Sequence, residues 1–408
     1  MQNSQAADPA DNQPHDTRIA GLAPNVRLLG LASLANDIAS EMIFPLVPTF
    51  LLTQVGGTTA SLGAVEGVAD TIASVVKLWA GGLSDRAGKR KIFVVAGYAL
   101  AAVSRPLVAA ASAPWHVLAV RSGDRFGKGI RSAPRDAMIA DSTEPSQRGR
   151  AFGFTRAMDH LGAAIGPFLA FSFLWMWPGQ LRWLFALTAI PGLAVVLAVW
   201  LGLREKPVVT HAAKELPSTL APFDQNFRLY LAALVVFTLG NSSDSFLLVR
   251  VRELGIAAEM LPLVWCAFHI VKSAGSIVAG RAVDRFGARP LIFLGWVIYG
   301  LIYLAFAQAS TAWEGWAFFM IYALFHALTE PAERTFVLTL VGEDRKGLAF
   351  GWFNLAIGIV ALPANLAFGL IYEWYGGPAA FGWSTALAAL AVGLLSFVRT
   401  PPVPANSQ

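Results

Sequence analysis

GGLSDRAGKR at residues 81–90 returns as GRAVDRFGAR at 280–289. Gly81, Asp85, Arg86, Gly88 and Arg90 fall on Gly280, Asp284, Arg285, Gly287 and Arg289. Further matches keep the same order along the chain. GRAFGF (149–154) recurs as GLAFGW (347–352), Pro134-Arg-Asp aligns with Pro331-Ala-Glu, and LANDIAS (34–40) answers LGNSSDS (239–245). Matches in one order mean a duplicated unit, and repeats of this length are a habit of membrane transporters.

Composition gives the solvent of each unit. Of 408 residues, 55% are hydrophobic and 14% charged, where soluble domains carry about 25% charged residues. Lipid is therefore the expected surroundings. A hydrocarbon core ~30 Å thick needs about 20 helical residues. Apolar runs of that size lie near 27–52, 58–82, 91–112, 115–141, 149–173 and 181–203, and again near 227–248, 258–283, 289–309, 312–340, 347–373 and 378–398. The fourth and tenth are the least apolar. The expected fold is an all-α integral membrane protein, twelve transmembrane helices in two six-helix bundles. The expected division is a disordered cytoplasmic tail (1–26), an N-terminal bundle (27–203), a cytoplasmic linker (204–226), a C-terminal bundle (227–398) and a cytoplasmic tail (399–408).

The net charge of +5 does not indicate a nucleic-acid binder, because much of the basic excess sits in short clusters such as DRAGKRK (85–91) and QRGR (147–150). Loops after even-numbered spans hold Arg86, Lys89, Arg90, Lys91, Arg148, Arg150, Arg204, Lys206, Arg285, Arg289, Arg345 and Lys346, whereas TQVGGTTA (53–60) holds none; Arg182 and Arg252 are the exceptions. The positive-inside rule then places both termini in the cytoplasm, in a plasma (bacterial inner) membrane. The polar opening MQNSQAADPADNQPHDTR lacks the apolar segment and cleavage site of a signal peptide. One cysteine, Cys266, allows neither an intrachain disulfide nor a multi-cysteine metal site.

The pattern G-x-x-x-D-R-x-G-x-R between the second and third spans of each half resembles the signature of the major facilitator superfamily, and with the six-plus-six repeat the resemblance covers the chain. It implies two bundles that rock about a central cavity. It also implies that Asp85, Arg86 and Arg90, with Asp284, Arg285 and Arg289, hold the cytoplasmic side closed. The physics agrees: glycines allow a tight turn, and a carboxylate suits a helix N-terminus. Arg125-x-x-Lys128-Gly129 is similar to the R-x-x-Q-G motif of proton-coupled drug antiporters, with Lys128 in place of glutamine. HLGAAIGP (160–167) matches their fifth-span motif in part.

DRFGKGIRSAPRD (124–136) puts six charges inside a span. Asp124, Lys128, Arg131 and Arg135 step by helical turns and share one face, which must look into the bundle, since a charge facing lipid costs at least ~2.5–3.5 kcal/mol. Asp37 and Glu41 on the first span, Glu66, Asp70 and Lys77 on the second, and Arg156, Asp159 and His160 on the fifth complete a mixed-sign cluster. The second half is thinner: Asn241 and Asp244, His269 and Lys272, then His326, Glu330, Glu333 and Arg334. Either these groups form permanent salt bridges, or some carboxyls carry protons, since burial disfavours the charged form. Asp37 and Asp70 are the first candidates for proton coupling, with Glu41, Glu66 and Asp159 behind them. Lys128, Arg131, Arg135, Asn241, Asp244, His269 and Lys272 are the candidates for binding substrate.

Single histidines on separate helices do not make a metal site, and no cofactor is implied. Trp175, Trp177, Trp183 and Trp374 near span ends suit an interfacial belt. The chain has no H-E-x-x-H, G-x-S-x-G or P-loop, so neither an enzyme nor an ATP-driven pump is expected. The expected activity is secondary transport of a small organic molecule, as efflux by proton antiport. Alternatives are transport of an organic anion or metal chelate in either direction, and a transporter-like sensor that binds without flux. A transition-metal exporter lacks a concentrated ligand set. The expected partners are the small-molecule substrate, protons and membrane lipid, with the chain acting as a monomer.

Overall fold

Each expected span becomes one helical column, and the columns that break at cavity depth are the first of each half. The computed structural model describes residues 21–144, 147–205, 220, 223–341 and 346–399, with positions 85, 346 and 347 described for their helical backbone alone. In the first half the columns are α1 (Pro24–Glu41) continued by α2 (Val47–Gln54), α3 (Thr59–Ala87), α4 (Arg90–Leu107), α5 (Pro114–Asp141), α6 (Arg148–Met176), and α7 (Leu181–Leu187) continued by α8 (Ala189–Gly202). In the second half they are α9 (Gln225–Gly240) continued by α10 (Asp244–Glu253), α11 (Leu261–Phe286), α12 (Ala288–Gln308), α13 (Ala312–Val341), α14 (Lys346–Tyr375) and α15 (Gly377–Ser396). Most of the expected tails, most of the expected linker and Arg345 lie outside the described residues, while α1 begins at Pro24, inside the stretch expected as the N-terminal tail.

Eight columns are long and apolar enough to cross a membrane by length and composition. The first, second, fourth and tenth are not among them, and these carry much of the interior charge. Their polar residues turn inward while large apolar side chains such as Trp79, Ile92, Ile277 and Phe397 are exposed. That inversion is what lipid demands. Trp175, Trp177, Trp183 and Trp374 are likewise exposed, each at or beside a helix end.

Local chemistry sets the helix ends. Thr58 caps α3 by accepting from the Ser61 amide while the Ser61 hydroxyl accepts from the Thr58 amide, and Asp224 caps α9 through the Phe227 amide. The repeated motif ends α3 at Gly88 (φ 62°) and α11 at Gly287 (φ 83°). Both glycines occupy backbone that other residues rarely adopt, so the duplicated turn is a backbone requirement.

The halves are stabilised differently. The first buries ion pairs, Arg105 with Asp124 and Arg121 with Glu66. The second packs rings: Trp296 stacks on Phe237 at 4.5 Å and Tyr299 on Tyr303 at 4.0 Å, with Tyr322 and Phe325 closing the cluster.

The halves meet along α3 with α14 and along α6 with α11. The first seam is backbone against backbone. A Cβ on Gly63 would sit 2.2 Å from the Asn365 carbonyl oxygen, and one on Gly369 would sit 2.5 Å from that of Thr59. The Thr71 hydroxyl donates to the Gly358 carbonyl at 2.8 Å, and Glu373 accepts from the Ala60 amide at 2.9 Å. The Gly63, Gly369 and Ala60 contacts lie in the N-terminal part of α3 and the C-terminal part of α14, away from the repeated motif, while Thr71 and Gly358 stand nearer the middle of the two helices, where a Cβ on Gly358 would sit 2.3 Å from the Ser74 Cβ. A cavity lined by Ser74 and Gly358 lies beside this stretch.

Candidate substrate cavity and ion network

The two columns that break at cavity depth open onto one cavity. Column one turns at Met42–Leu46, where Phe44–Leu46 form a 3-10 turn, and column seven unwinds at Asn241–Ser243. Unwound backbone inside a membrane protein needs partners, and here it has them. Tyr299 donates to the Gly240 carbonyl (2.8 Å), and Asn365 accepts from the Ser243 amide (2.6 Å). Interrupted helices at matching places in two repeats mark transporter binding sites.

The cavity between the halves measures about 370 Å³. Glu66, Asp70, Arg125 and Lys128 line it from the first half, and Asn241, Asp244, His326 and Asn365 from the second. A second cavity of about 400 Å³ shares Ala73, Ser74 and Lys128 with it and extends to Gly81 in the loop motif. The charged side chains lining this outer chamber are Lys77 and Lys128. Among the described residues, this chamber is lined by two cations and by no carboxylate.

The stripe on α5 does face the interior, but its members divide. Asp124 accepts from Arg105 Nε at 2.9 Å, and Arg105 also donates to the carbonyl (2.9 Å) and side-chain oxygen (3.0 Å) of Asn36. Arg131 is buried over the Tyr98 ring at 4.8 Å. Arg135 donates to the Ser33 hydroxyl at 2.7 Å and lies 3.1 Å from Asp136 and 3.8 Å from Asp159. Neither Arg131 nor Arg135 lines the two cavities. Lys128 lines both, is exposed, and has no carboxylate within 4 Å among the described residues.

The five candidate proton carriers occupy different settings. Glu66 is buried and held by Arg121 at 3.1 Å. Asp70 faces the cavity 3.9 Å from Arg125, with its side chain 41% exposed. Asp159 lies 3.6 Å from Arg156 and 3.8 Å from Arg135. Glu41 accepts from the Trp265 indole at 2.8 Å and lies 3.8 Å from His269. Asp37 accepts from the Asn36 amide group at 2.8 Å and makes no ion pair among the described residues.

On the other wall, Asp244 accepts from the Tyr322 hydroxyl at 2.6 Å and lies 3.7 Å from His326, while Lys272 pairs with Glu330 at 2.6 Å. Arg105 and Arg121 were not singled out by the sequence reading. Arg121 extends the α5 stripe by one turn, and Arg105 stands beside Pro106 in an apolar span. An isolated arginine in such a span is itself a signal.

The loop motifs are each anchored within their own half. Arg90 pairs with Asp141, and the Arg90 and Lys91 amides donate to the Glu205 carboxylate at 3.0 and 2.9 Å. Arg289 donates to the Ser396 carbonyl at 2.7 Å. Arg86 is exposed, and Arg285 lies over the Phe286 ring at 5.1 Å. Asp284 is exposed and unpaired among the described residues, and the Asp85 side chain lies outside them.

The Major Facilitator Superfamily model matches residues 29–271 and 229–408. An uncharacterized MFS-type transporter of Methanocaldococcus jannaschii is 31% identical over 384 residues, 92% of this chain and 95% of that one. The multidrug resistance protein MdtH of Edwardsiella ictaluri is 22% identical over 343 residues, 81% and 82% of the two chains. In fold, the chain is similar to the crystal structure of a bacterial homolog of the human lysosomal transporter Spinster, with a TM-score of 0.70 at 17% identity, covering 91% of this chain and 93% of that one. The chain belongs to the Major Facilitator Superfamily: it is a multi-pass membrane transporter.

Proposed function

We propose that the chain is a proton-coupled secondary transporter of a small organic anion, working by alternating access. The observation that carries this reading is Lys128, an exposed ammonium with no carboxylate within 4 Å among the described residues, at the junction of two cavities. A polar cavity of about 370 Å³ lies at the small end of the roughly 300–1,000 Å³ of small-molecule sites. With the basic loops on the cytoplasmic face, as the positive-inside rule requires, the described conformation opens inward and is sealed outside along α3 and α14. Asp37 and Asp70, the carboxyls with the weakest claims on them, are the proton carriers of this reading.

A second reading, efflux of a drug-like molecule by proton antiport, is supported by the relative named as a multidrug resistance protein and by the exposed Asp70 carboxylate. Proton movement in everted vesicles separates the two. Organic anions, organic cations and divalent metals are added to vesicles acidified by respiration, with Asp37→Asn/Asp70→Asn alongside. Proton movement evoked by anions, in wild type alone, supports the first reading. Dissipation of the gradient by cations alone would select the second.

A further inference from the structure

We infer that Lys77 and Lys128 form one paired-ammonium site in the outer chamber, and that the anion carried by this chain bears two negative charges on a compact head group, a phosphate monoester or a malonate-like dicarboxylate. This rests on the anion reading above and names the substrate class within it.

Helix packing brings the two lysines together. Gly129 on α5 sits so close to α3 that a Cβ there would lie 2.7 Å from the Val76 Cβ and 3.1 Å from the Ala73 carbonyl oxygen. About one turn on, a Cβ on Gly81 would lie 3.3 Å from the Ala133 Cβ. The two contacts advance in the same sense, so α3 and α5 run parallel here. Lys77 follows Val76 and Lys128 precedes Gly129, which at 1.5 Å per residue places both lysines within about 3 Å of one depth. Both are exposed and line the same chamber of about 400 Å³. Neither makes an ion pair among the described residues. Asp124 and Asp136, which flank Lys128 on α5, are held by Arg105 and Arg135, and Asp70, before Lys77 on α3, faces Arg125.

Two like charges at one depth, with no carboxylate on the chamber wall, suit a ligand that neutralises both. A monoanion leaves one ammonium uncompensated inside a membrane, where an unpaired charge is costly. Lysine carries a compact charge with three donors on a flexible stem, so two ammoniums can converge on separate oxygens of one phosphoryl or malonyl group. Uncharged donors stand beside them. The Ser74 hydroxyl makes no hydrogen bond among the described residues, and Asn354 of the second half donates one amide hydrogen to the Phe350 carbonyl at 2.7 Å and keeps the other. The organic remainder has its own place: the central cavity shares Ser74 and Lys128 with this chamber and adds the apolar Phe44, Ile357 and Ala361.

The test uses the full chain in detergent and calorimetric titration at pH 8 with three probes. Benzenesulfonate carries one charge, while phenylmalonate and phenyl phosphate carry two, the second phosphate pKa being about 6. In wild type at least one dianion should bind about tenfold more tightly than benzenesulfonate, the size of one added charge-assisted hydrogen bond. The tighter dianion names the head group. Lys77→Gln should bring that dianion to within about twofold of benzenesulfonate, whereas Lys77→Arg, which keeps the charge, should keep the preference. Lys128→Gln should weaken all three probes. A preference that is absent in wild type, survives Lys77→Gln or is lost equally in Lys77→Arg overturns the paired site and leaves the anion reading standing. Saturable binding of none of the probes to wild type overturns both.

Discussion

Glu41 on α1 accepts a 2.8 Å hydrogen bond from the indole of Trp265 on α11, joining the halves beside the break in column one. The Trp265 ring also packs on Phe44 of that break, with centroids 4.8 Å apart, and on Phe268. A motion that separates α1 from α11 at this depth would part this contact.

Trp265→Phe keeps a ring and removes the donor. A hydrogen bond to a charged group contributes about 1.5–3 kcal/mol, so the described conformation should lose population by tenfold or more. Spin labels at the exposed positions Gln54 and Ala257, in a Cys266→Ala background, should report a new distance population by pulsed electron resonance. An unchanged distribution would show that the hydrogen bond does not hold this state.

Arg105→Ala strands Asp124 in the first half. Removing one partner of a buried ion pair costs about 3–5 kcal/mol, so the melting temperature should fall by many degrees. Arg105→Leu/Asp124→Leu should recover much of that loss, because the desolvated charge goes with its partner. A double variant no more stable than the single one would mean that the contacts of Arg105 with Asn36 matter more than the ion pair.

Gly369→Ala and Gly63→Ala should each force the α3–α14 seam apart, since a Cβ at either site meets a backbone oxygen at 2.5 or 2.2 Å. Transport in proteoliposomes should drop at least tenfold. Gly149→Ala, where a Cβ meets nothing within 4 Å, is the control and should be neutral. Wild-type rates in both seam variants would show that the seam relaxes without functional cost.

Asp85→Asn and Asp284→Asn test the loop motifs. Asp284 is exposed and unpaired among the described residues, so its substitution should leave the melting temperature within about 1 °C, in line with surface changes elsewhere. Transport should still slow in both variants, because the motif end must close once per cycle, while substrate binding stays intact. Normal turnover would remove these carboxylates from the gate.

The columns were legible because lipid sets their length and the repeated motif sets their turns. Boundaries were less so at the breaks. The seventh span was expected to end near 248, yet its column continues to Glu253 through the unwound Asn241–Ser243; GNSSD (240–244) looks like a span ending when it is a bend. The α5 stripe was readable from helical geometry alone. What spacing cannot give is a partner on another helix. Asp124 and Lys128 share a face, but Arg105 arrives from α4 to claim one and no described carboxylate claims the other. The weight of charge in the first half was visible in the sequence. The hydrogen bonding of Asp244 by Tyr322 was not, because an aromatic residue in an apolar run reads as packing.

The glycine seam also bears on speed. Glycine has no side-chain rotamers to lose on burial, so α3 and α14 can separate and rejoin with few side chains to unthread or reorder. Closing such a surface orders few side chains, so its entropic cost is small. A carrier sealed in this way gains tightness from fit and keeps its turnover, where a seal of interlocked long side chains would trade one for the other.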